Sequence, residues 1–443
     1  MSVKVGIISL GCSKNLVDTE LMLGLLDRAG YEITGVEKDA DVIIVNTCGF
    51  ITPAKEEAIN TILETALLKD TAGLKALLVA GCLSQRYGRA LLDDLPEVDG
   101  VLGIGAVPDV AGIVNRVLRG ERLCVVDSPI YNHNADMPRV ITTPPYTAYV
   151  KIAEGCNNRC SYCAIPSIRG GYRSRAMELV VSEVDGLQQR GVKEIVLVAQ
   201  DTTAYGLDIY GRRMLAELVK ELATGGPPWI RLMYCYPTGF TQELIELMAE
   251  HKNICRYVDM PLQHASPHIL KLMNRRGAVR EIKDLIAKLR RSIPGIALRS
   301  TFMVGFPGET VDDYDELINF IDEMRFERAG VFKFSPEEGT PAAEMTGQVP
   351  EEQKEERFRR AMTLQQQISL GHNLALVGKV INVMVEEEPS GRSNLYRGRS
   401  ESDAPEIDGT VLFSAASAAP LPGDLVKVRV TRAYEYDLRG VLT

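Results

Sequence analysis

Nine cysteines lie along the 443-residue chain, at positions 12, 48, 82, 124, 156, 160, 163, 235 and 255. Three of them, Cys156, Cys160 and Cys163, form a CxxxCxxC motif in a loop that follows an apolar, β-branched run. Three thiolates this close can hold three irons of a cubane 4Fe-4S cluster and leave the fourth iron open to another ligand. Zinc is the competing reading. It asks for a fourth Cys or His nearby, and none follows within about thirty residues of the motif.

A second set is independent of that motif. Cys12, Cys48 and Cys82 are 36 and 34 residues apart, and each directly follows an apolar run. In a parallel sheet all strand C-termini lie along one edge, so three cysteines at three such ends are brought together in space. Repetition of the placement favours a second three-cysteine cluster over three unrelated core thiols. Cys124, Cys235 and Cys255 have no such spacing and read as buried apolar residues.

The elements that must position these thiols follow from periodicity. Residues 1–125 alternate apolar runs (4–10, 41–46, 76–80) with helical patterns (19–29, 56–68), and residues 11–15 read as a turn. This predicts a parallel sheet with crossover helices, its strands apolar on both faces. Turn and linker chemistry over 126–145 marks a boundary. From 146 to about 335 six strand candidates alternate with helices: 148–153, 194–199, 230–235, 256–260, 297–304 and 330–334. Six right-handed β/α units make a partial barrel, short of the eight that close one, with a lateral opening for a large substrate. A charged helix over 351–371 could bridge domains, and the central unit ends near 372. Residues 375–443 read as a small all-β module, with strands near 379–385, 410–413 and 425–433. The fold class is therefore α/β in three parts: 1–125, a core over 146–372 and the β module.

Composition excludes several function classes. Hydrophobic residues make up 45% and charged residues 25%, so the chain is neither disordered nor fibrous. No apolar run spans a bilayer, and no membrane partner is expected. The segment from Ser9 to Cys12 mimics a lipoprotein cleavage box, but its apolar run is too short for a signal core, which predicts a cytoplasmic protein. An odd number of cysteines without a secretion signal points to metal or redox chemistry, not disulfides. A net charge of −9 argues against a general nucleic-acid coat and suits a basic protein partner.

The CxxxCxxC motif after a first strand, with Tyr162 before the last cysteine, in a six-unit β/α core, resembles the radical S-adenosylmethionine (SAM) superfamily. The resemblance implies that the open iron of the Cys156/Cys160/Cys163 cluster chelates SAM, whose reductive cleavage yields a 5′-deoxyadenosyl radical. Other strand-end residues then become candidate SAM contacts: Gln200 and Asp201 after the second strand, Gln263 after the fourth and Arg299 on the fifth, with Tyr162 against adenine. Each is equally readable as a structural polar residue of the barrel interior.

Two three-cysteine sets in two domains, with a TRAM-like C-terminal module, resemble the methylthiotransferase family over essentially the whole chain. The family replaces a C–H bond by C–S–CH3. The resemblance implies two 4Fe-4S clusters with three Cys ligands each. The Cys12/Cys48/Cys82 cluster would hold the sulfur that a second SAM methylates, and no catalytic side chain is expected beyond the clusters. It also implies an electron donor such as flavodoxin or ferredoxin, and a sulfide source.

Known branches act on tRNA (the MiaB type) or on a ribosomal protein (the RimO type). The segment 9–20 resembles the ribosomal branch, with Ser13-Lys14-Asn15 where the tRNA branch has Gln-Met-Asn; Ser13 departs from the expected Pro. Segments 163–170 and 404–409 resemble it too. The implied reaction is methylthiolation of the β-carbon of an aspartate in small-subunit ribosomal protein twelve. The β module carries eight Lys/Arg against ten Asp/Glu, whereas an RNA-gripping module should be basic. The stretch from Arg392 to Arg399 is its one candidate patch. The rivals are a tRNA methylthiotransferase acting beside the anticodon and a non-catalytic iron–sulfur or ribosome-binding protein.

Overall fold

The computed structural model describes residues 2–131, 137–389, 394–415 and 419–443. Part of the expected linker (132–136) and Arg392 lie outside the described residues. The N-terminal part is a six-stranded, all-parallel sheet whose three central strands are Lys4–Ser9, Val42–Thr47 and Ala76–Gly81. These are the three strands expected. Three more strands of two or three residues flank them: Glu32–Ile33, Gly100–Leu102 and Leu123–Val125. The first helix starts earlier than expected. It runs Ser13–Arg28 with Cys12 at its N-cap, so the predicted turn over 11–15 is mostly helix. Asn15 explains the early start, because its amide donates to the carbonyls of Leu10 (2.8 Å) and Asn46 (3.3 Å) and ties the first turn to the sheet.

The central part is a six-stranded parallel sheet in sequential order: Thr147–Lys151, Glu194–Val198, Trp229–Leu232, Ile254–Asp259, Ala297–Val304 and Arg328–Lys333. The two outer strands do not pair, so the barrel stays open. Unpaired strand edges need cover. Helix Ser13–Arg28 lies against Thr147–Lys151, and helix Glu351–Leu374 against Arg328–Lys333. Helix Glu351–Leu374 therefore packs on the core, with its Asn373 reaching the carbonyl of Tyr434 (2.9 Å). The C-terminal module is a closed five-stranded barrel in the order Val380–Glu387, Leu395–Ser400, Val411–Ser414, Leu438–Leu442 and Leu425–Ala433. No helix among the described residues is long and apolar enough to cross a membrane.

Buried ion pairs join the parts. Arg139 bridges Glu20 of the first helix and Glu183 of helix Met177–Gln189, so this end of the linker is clamped. A Cβ on Gly24 would stand 2.2 Å from the carbonyl oxygen of Pro138, so only glycine lets the linker cross here. Glu337, buried after the last barrel strand, accepts from the Thr52 amide (2.7 Å), Lys55 (2.8 Å) and Arg86 (3.1 Å) of the N-terminal part. Burial pushes its carboxyl up, but Lys55, Ser335 and the Thr52 amide outweigh that and hold it below the usual carboxylate range. A depressed carboxylate adds stability that is fully present above its unfolded pKa, about 4.3, and lost as pH falls through the folded value. Glu337→Gln should therefore cost about 2–3 kcal/mol at pH 7. In urea unfolding, the gap to the parent should close as pH drops below about 4.

Candidate metal centre

Cys12, Cys48 and Cys82 follow three strands that are neighbours in the sheet, with Ser9 opposite Asn46 and Thr47 opposite Gly81. Asn46, buried, donates to the carbonyl of Asn15 (2.9 Å) and to Thr19 Oγ1 (2.8 Å), and Thr47 donates to the carbonyl of Ala80 (2.6 Å). These bonds fix the strand ends. Gly11 and Gly81 precede two of the cysteines with φ of +90° and +93°; Cβ atoms there would meet Cys48 Cβ at 2.7 Å and Asn46 Oδ1 at 2.3 Å. Both the backbone turn and the close approach need glycine. Burial pushes the Cys48 thiol up to about 11, and the sulfurs of Cys82 and Cys12 add to the rise. Burial also raises Cys82, against the opposing pull of Arg169. At Cys12 burial is outweighed by Lys14 and Arg169, which draw its thiol below the ordinary range.

The CxxxCxxC loop runs from strand Ala153–Glu154 to helix Ile165–Arg169. The Cys156 amide donates to Gly170 (3.2 Å) and the Cys163 amide to Cys160 (3.0 Å). Ser161 anchors the loop's centre: its amide donates to Met273 (3.0 Å) and its hydroxyl to Leu272 (2.8 Å). Arg159 turns the chain in the left-handed region, and Asn274 donates to its carbonyl (2.8 Å). Burial pushes Cys163 up to about 12, with the charges of Cys160 and Cys156 adding to it.

Among the described residues no three His, Cys, Asp or Glu side chains converge as ligands of one ion would. Each cysteine set is nevertheless close enough for its thiols to raise one another. Thiolates that bind separate irons of a cube stand further apart than ligands of a single zinc, and the donor chemistry of each set, three thiols, fits a 4Fe-4S cluster.

Two arginines that sequence reasoning missed serve these sulfurs. Arg275 donates to Cys160 Sγ (3.8 Å), to the Tyr162 hydroxyl (3.1 Å) and to the carbonyl of Pro261 (2.5 Å). Arg169, buried, donates to Cys82 Sγ (3.4 Å) and Asn15 Oδ1 (3.2 Å) with one nitrogen, and to Asp18 (3.1 Å) and Glu154 (2.9 Å) with the other. Lys151 shares both carboxylates, and Gln200 donates to Glu154 (2.8 Å). One guanidinium thus touches the first cysteine set and a carboxylate two residues before Cys156. Neither arginine lies near its sulfur in sequence. Arg169 falls in segment 163–170, noted above only for its family resemblance.

Of the expected cofactor contacts, Tyr162 packs beside Ile269, Phe306 and Phe334. Asp201 accepts from Asn158 (2.9 Å) and Thr203 (2.7 Å). Gln263 adopts φ +75° and bridges to Phe302 at the rim. Asn157, Asn158, Asp201, Thr203, Tyr236 and Arg276 help to line a cleft of about 240 Å³ beside the cysteine loop. Arg299 pairs with Asp259 (2.8 Å), at the end of the fourth barrel strand, and with Asp408 of the C-terminal module (3.5 Å). Cys235 and Cys255 are buried, and Cys124 is partly buried.

The stretch ending at Arg399 also differs from a basic patch. Arg399 is buried against Glu194 of the core and Glu386 (2.7 Å), and Arg397 pairs with Glu387 (2.9 Å). The buried Arg399 thus ties the module to the core, and Arg397 pairs at the module surface.

Family models match three stretches: the radical SAM superfamily over residues 150–321, uncharacterized protein family UPF0004 over 4–103, and the TRAM domain over 377–442. Among solved structures the chain is similar to the radical SAM methyltransferase TsrM from Kitasatospora setae (TM-score 0.57, 16% identity, 77% of each chain), a likeness of fold alone. It is 56% identical to the ribosomal protein uS12 methylthiotransferase RimO of Pelotomaculum thermopropionicum, over 99% of both chains. It is 54% identical to that of Heliobacterium modesticaldum, over 99% of this chain and 95% of the relative. With this identity along its whole length, the chain belongs to the RimO family of ribosomal protein uS12 methylthiotransferases.

Proposed function

We propose that the chain is a SAM-dependent methylthiotransferase that replaces a β-carbon hydrogen of an aspartate in ribosomal protein uS12 by a methylthio group. The observation that carries the reading is the juxtaposition of two three-cysteine sets joined by the buried Arg169, which reaches Cys82 and Glu154 together. Cys156, Cys160 and Cys163 would hold the SAM-binding cluster, and Cys12, Cys48 and Cys82 the sulfur-carrying one. With SAM bound, such a site supplies the oxidising power that an unactivated C–H bond demands and that no side chain provides.

The chain's own residues position and shield these groups. Arg169 and Arg275 donate hydrogen bonds to cysteine sulfur, which steadies negative charge there. Tyr162 in the loop, with Gln200, Asp201, Gln263 and Arg299 on the barrel strands and their ends, are the candidate SAM contacts. Residues 1–125 would serve sulfur insertion, 146–372 SAM, and 375–443 the protein substrate, with 126–145 linking the first two. Burying Arg399 in ion pairs with Glu194 and Glu386 favours a basic protein over RNA as that substrate. An electron donor such as flavodoxin or ferredoxin and a sulfide source complete the requirement, in the cytoplasm.

The test is anaerobic. Cluster-reconstituted protein receives SAM, dithionite and sulfide, with uS12 and tRNA offered in parallel, and products are read by mass spectrometry. A methylthio gain on an aspartyl peptide of uS12 is expected. A gain on tRNA alone would move the chain to the tRNA branch. Intact SAM and unmodified substrates would reduce it to an iron–sulfur binding protein.

A further inference from the structure

Lys14 follows Cys12 by two residues, in the first turn of helix Ser13–Arg28, and its side chain is buried. Among the described residues no Asp or Glu stands within ion-pair distance of it. Every other buried Lys or Arg there pairs with a carboxylate: Lys151, Arg169, Arg175, Arg231, Arg328, Lys354, Arg357 and Arg399. A buried cation without a carboxylate partner must find other stabilisation. The face of the Tyr234 ring, 3.3 Å from the ammonium to the ring centroid, supplies part of it but carries no net charge.

The place of this cation matters. Tyr234 follows the third barrel strand with φ +58°. Its amide donates to Asp259 (3.0 Å) and its carbonyl accepts from the amide of Thr202 (3.1 Å). The ring is therefore held among the ends of the second, third and fourth barrel strands. Asp259 pairs with Arg299 (2.8 Å), and no ion pair joins it to Lys14. Lys14 thus carries a charge that no carboxylate matches from the Cys12 strand end to the mouth of the barrel. There the proposed reaction requires a carbon atom to lie between the two cysteine sets.

We propose that Lys14 binds the side-chain carboxylate of the aspartate that is modified. This rests on the reading that uS12 is the substrate. The β-carbon of aspartate is bonded directly to its carboxylate carbon, so an anchor on the carboxylate places the β-carbon within one bond length of a fixed point. Lys14 is then a substrate-binding residue that selects aspartate over asparagine, which has the same shape and no charge. A charge-assisted hydrogen bond in a desolvated site supplies about ten- to hundredfold in affinity.

The test measures binding of purified uS12 and of its Asp→Asn form at the modified position to the cluster-reconstituted protein by calorimetry. The parent should bind the Asp form about ten- to hundredfold tighter. Lys14→Met, of similar length without charge, should bind both forms alike at the weaker level, and Lys14→Arg should keep most of the preference. Equal binding of the two forms by the parent overturns the proposal, with or without any variant. So does a Lys14→Met protein that keeps the preference, or one in which the parent's affinity for both forms falls by the same factor, the mark of a structural role. Should Lys14→Met fail to accumulate, Lys14→Gln takes its place with the same expectations. Mass spectrometry of the parent with uS12 separates the two readings. No methylthio gain defeats the substrate assignment; a gain with an unaltered preference in Lys14→Met defeats only the role of Lys14.

Discussion

Cys12→Ala is expected to abolish methylthiolation of uS12 while leaving reductive cleavage of SAM in place. Cys12 caps helix Ser13–Arg28 without a side-chain hydrogen bond, so alanine removes a thiol but no helix cap. The hydrogen bonds that shape the CxxxCxxC loop run to Gly170, Met273 and Leu272, none of which depends on Cys12. Iron content should fall to about half, since one of two clusters loses a ligand. The complementary variant, Cys160→Ala, should lose both SAM cleavage and methylthiolation. Released 5′-deoxyadenosine, measured chromatographically beside the mass of uS12, reports the two activities separately. A folded Cys12→Ala protein that retains its second cluster yet cleaves no SAM would contradict the assignment of one chemistry to each set.

The placement of the cysteines at strand ends and in one loop was legible because each rests on local signals. Cys12, Cys48 and Cys82 each close an apolar run, and parallel topology converts that into proximity. The fifth barrel strand, Ala297–Val304, matched its expected limits, and the others were off by a few residues at their ends. What escaped was of two kinds. Glu32–Ile33, Gly100–Leu102 and Leu123–Val125 are too short to carry a period. In Leu395–Ser400 charged and small residues interrupt the apolar pattern, yet Tyr396, Gly398 and Ser400 are buried in the closed barrel and Arg399 in the contact with the core. The second kind is long-range pairing. Arg169 is 87 residues from Cys82 and Arg275 is 115 from Cys160, and no sequence pattern links them. The ion pairs of Arg299 show the same limit: its strand was legible, but Asp259 and Asp408 are brought to it only by the assembled fold.

The largest stability effect should come from Arg169→Met. Arg169 and Lys151 face Asp18 and Glu154 in a buried group of two cations and two anions, with the Tyr131 hydroxyl donating to Asp18 (3.0 Å). Burial pushes the Glu154 carboxyl up, but Arg169 and Lys151 overcome that and hold it well below the usual carboxylate range. Removing the guanidinium leaves one buried carboxylate without a counter-ion, which costs about 3–5 kcal/mol. The site can relieve the excess by taking up a proton, so the pH dependence has a definite sign. In the parent the contribution of Glu154 is fully present above its unfolded pKa and lost as pH falls through its lower folded value. In Arg169→Met a carboxyl of the group should titrate above its unfolded value instead, so the variant binds more protons folded than unfolded and gains stability as pH falls toward that value. Urea unfolding at pH 7.5 and 5.5 should therefore show a smaller deficit at the lower pH. Adding Asp18→Asn, which removes one anion, should recover part of the loss at pH 7.5, and Arg169→Lys should recover less than the full value because it restores charge without the fork that reaches four partners. A deficit below about 1 kcal/mol would mean that the group is solvated like a surface pair. It would also mean that the contact between the two cysteine-bearing parts rests on Arg139 and Glu337 instead.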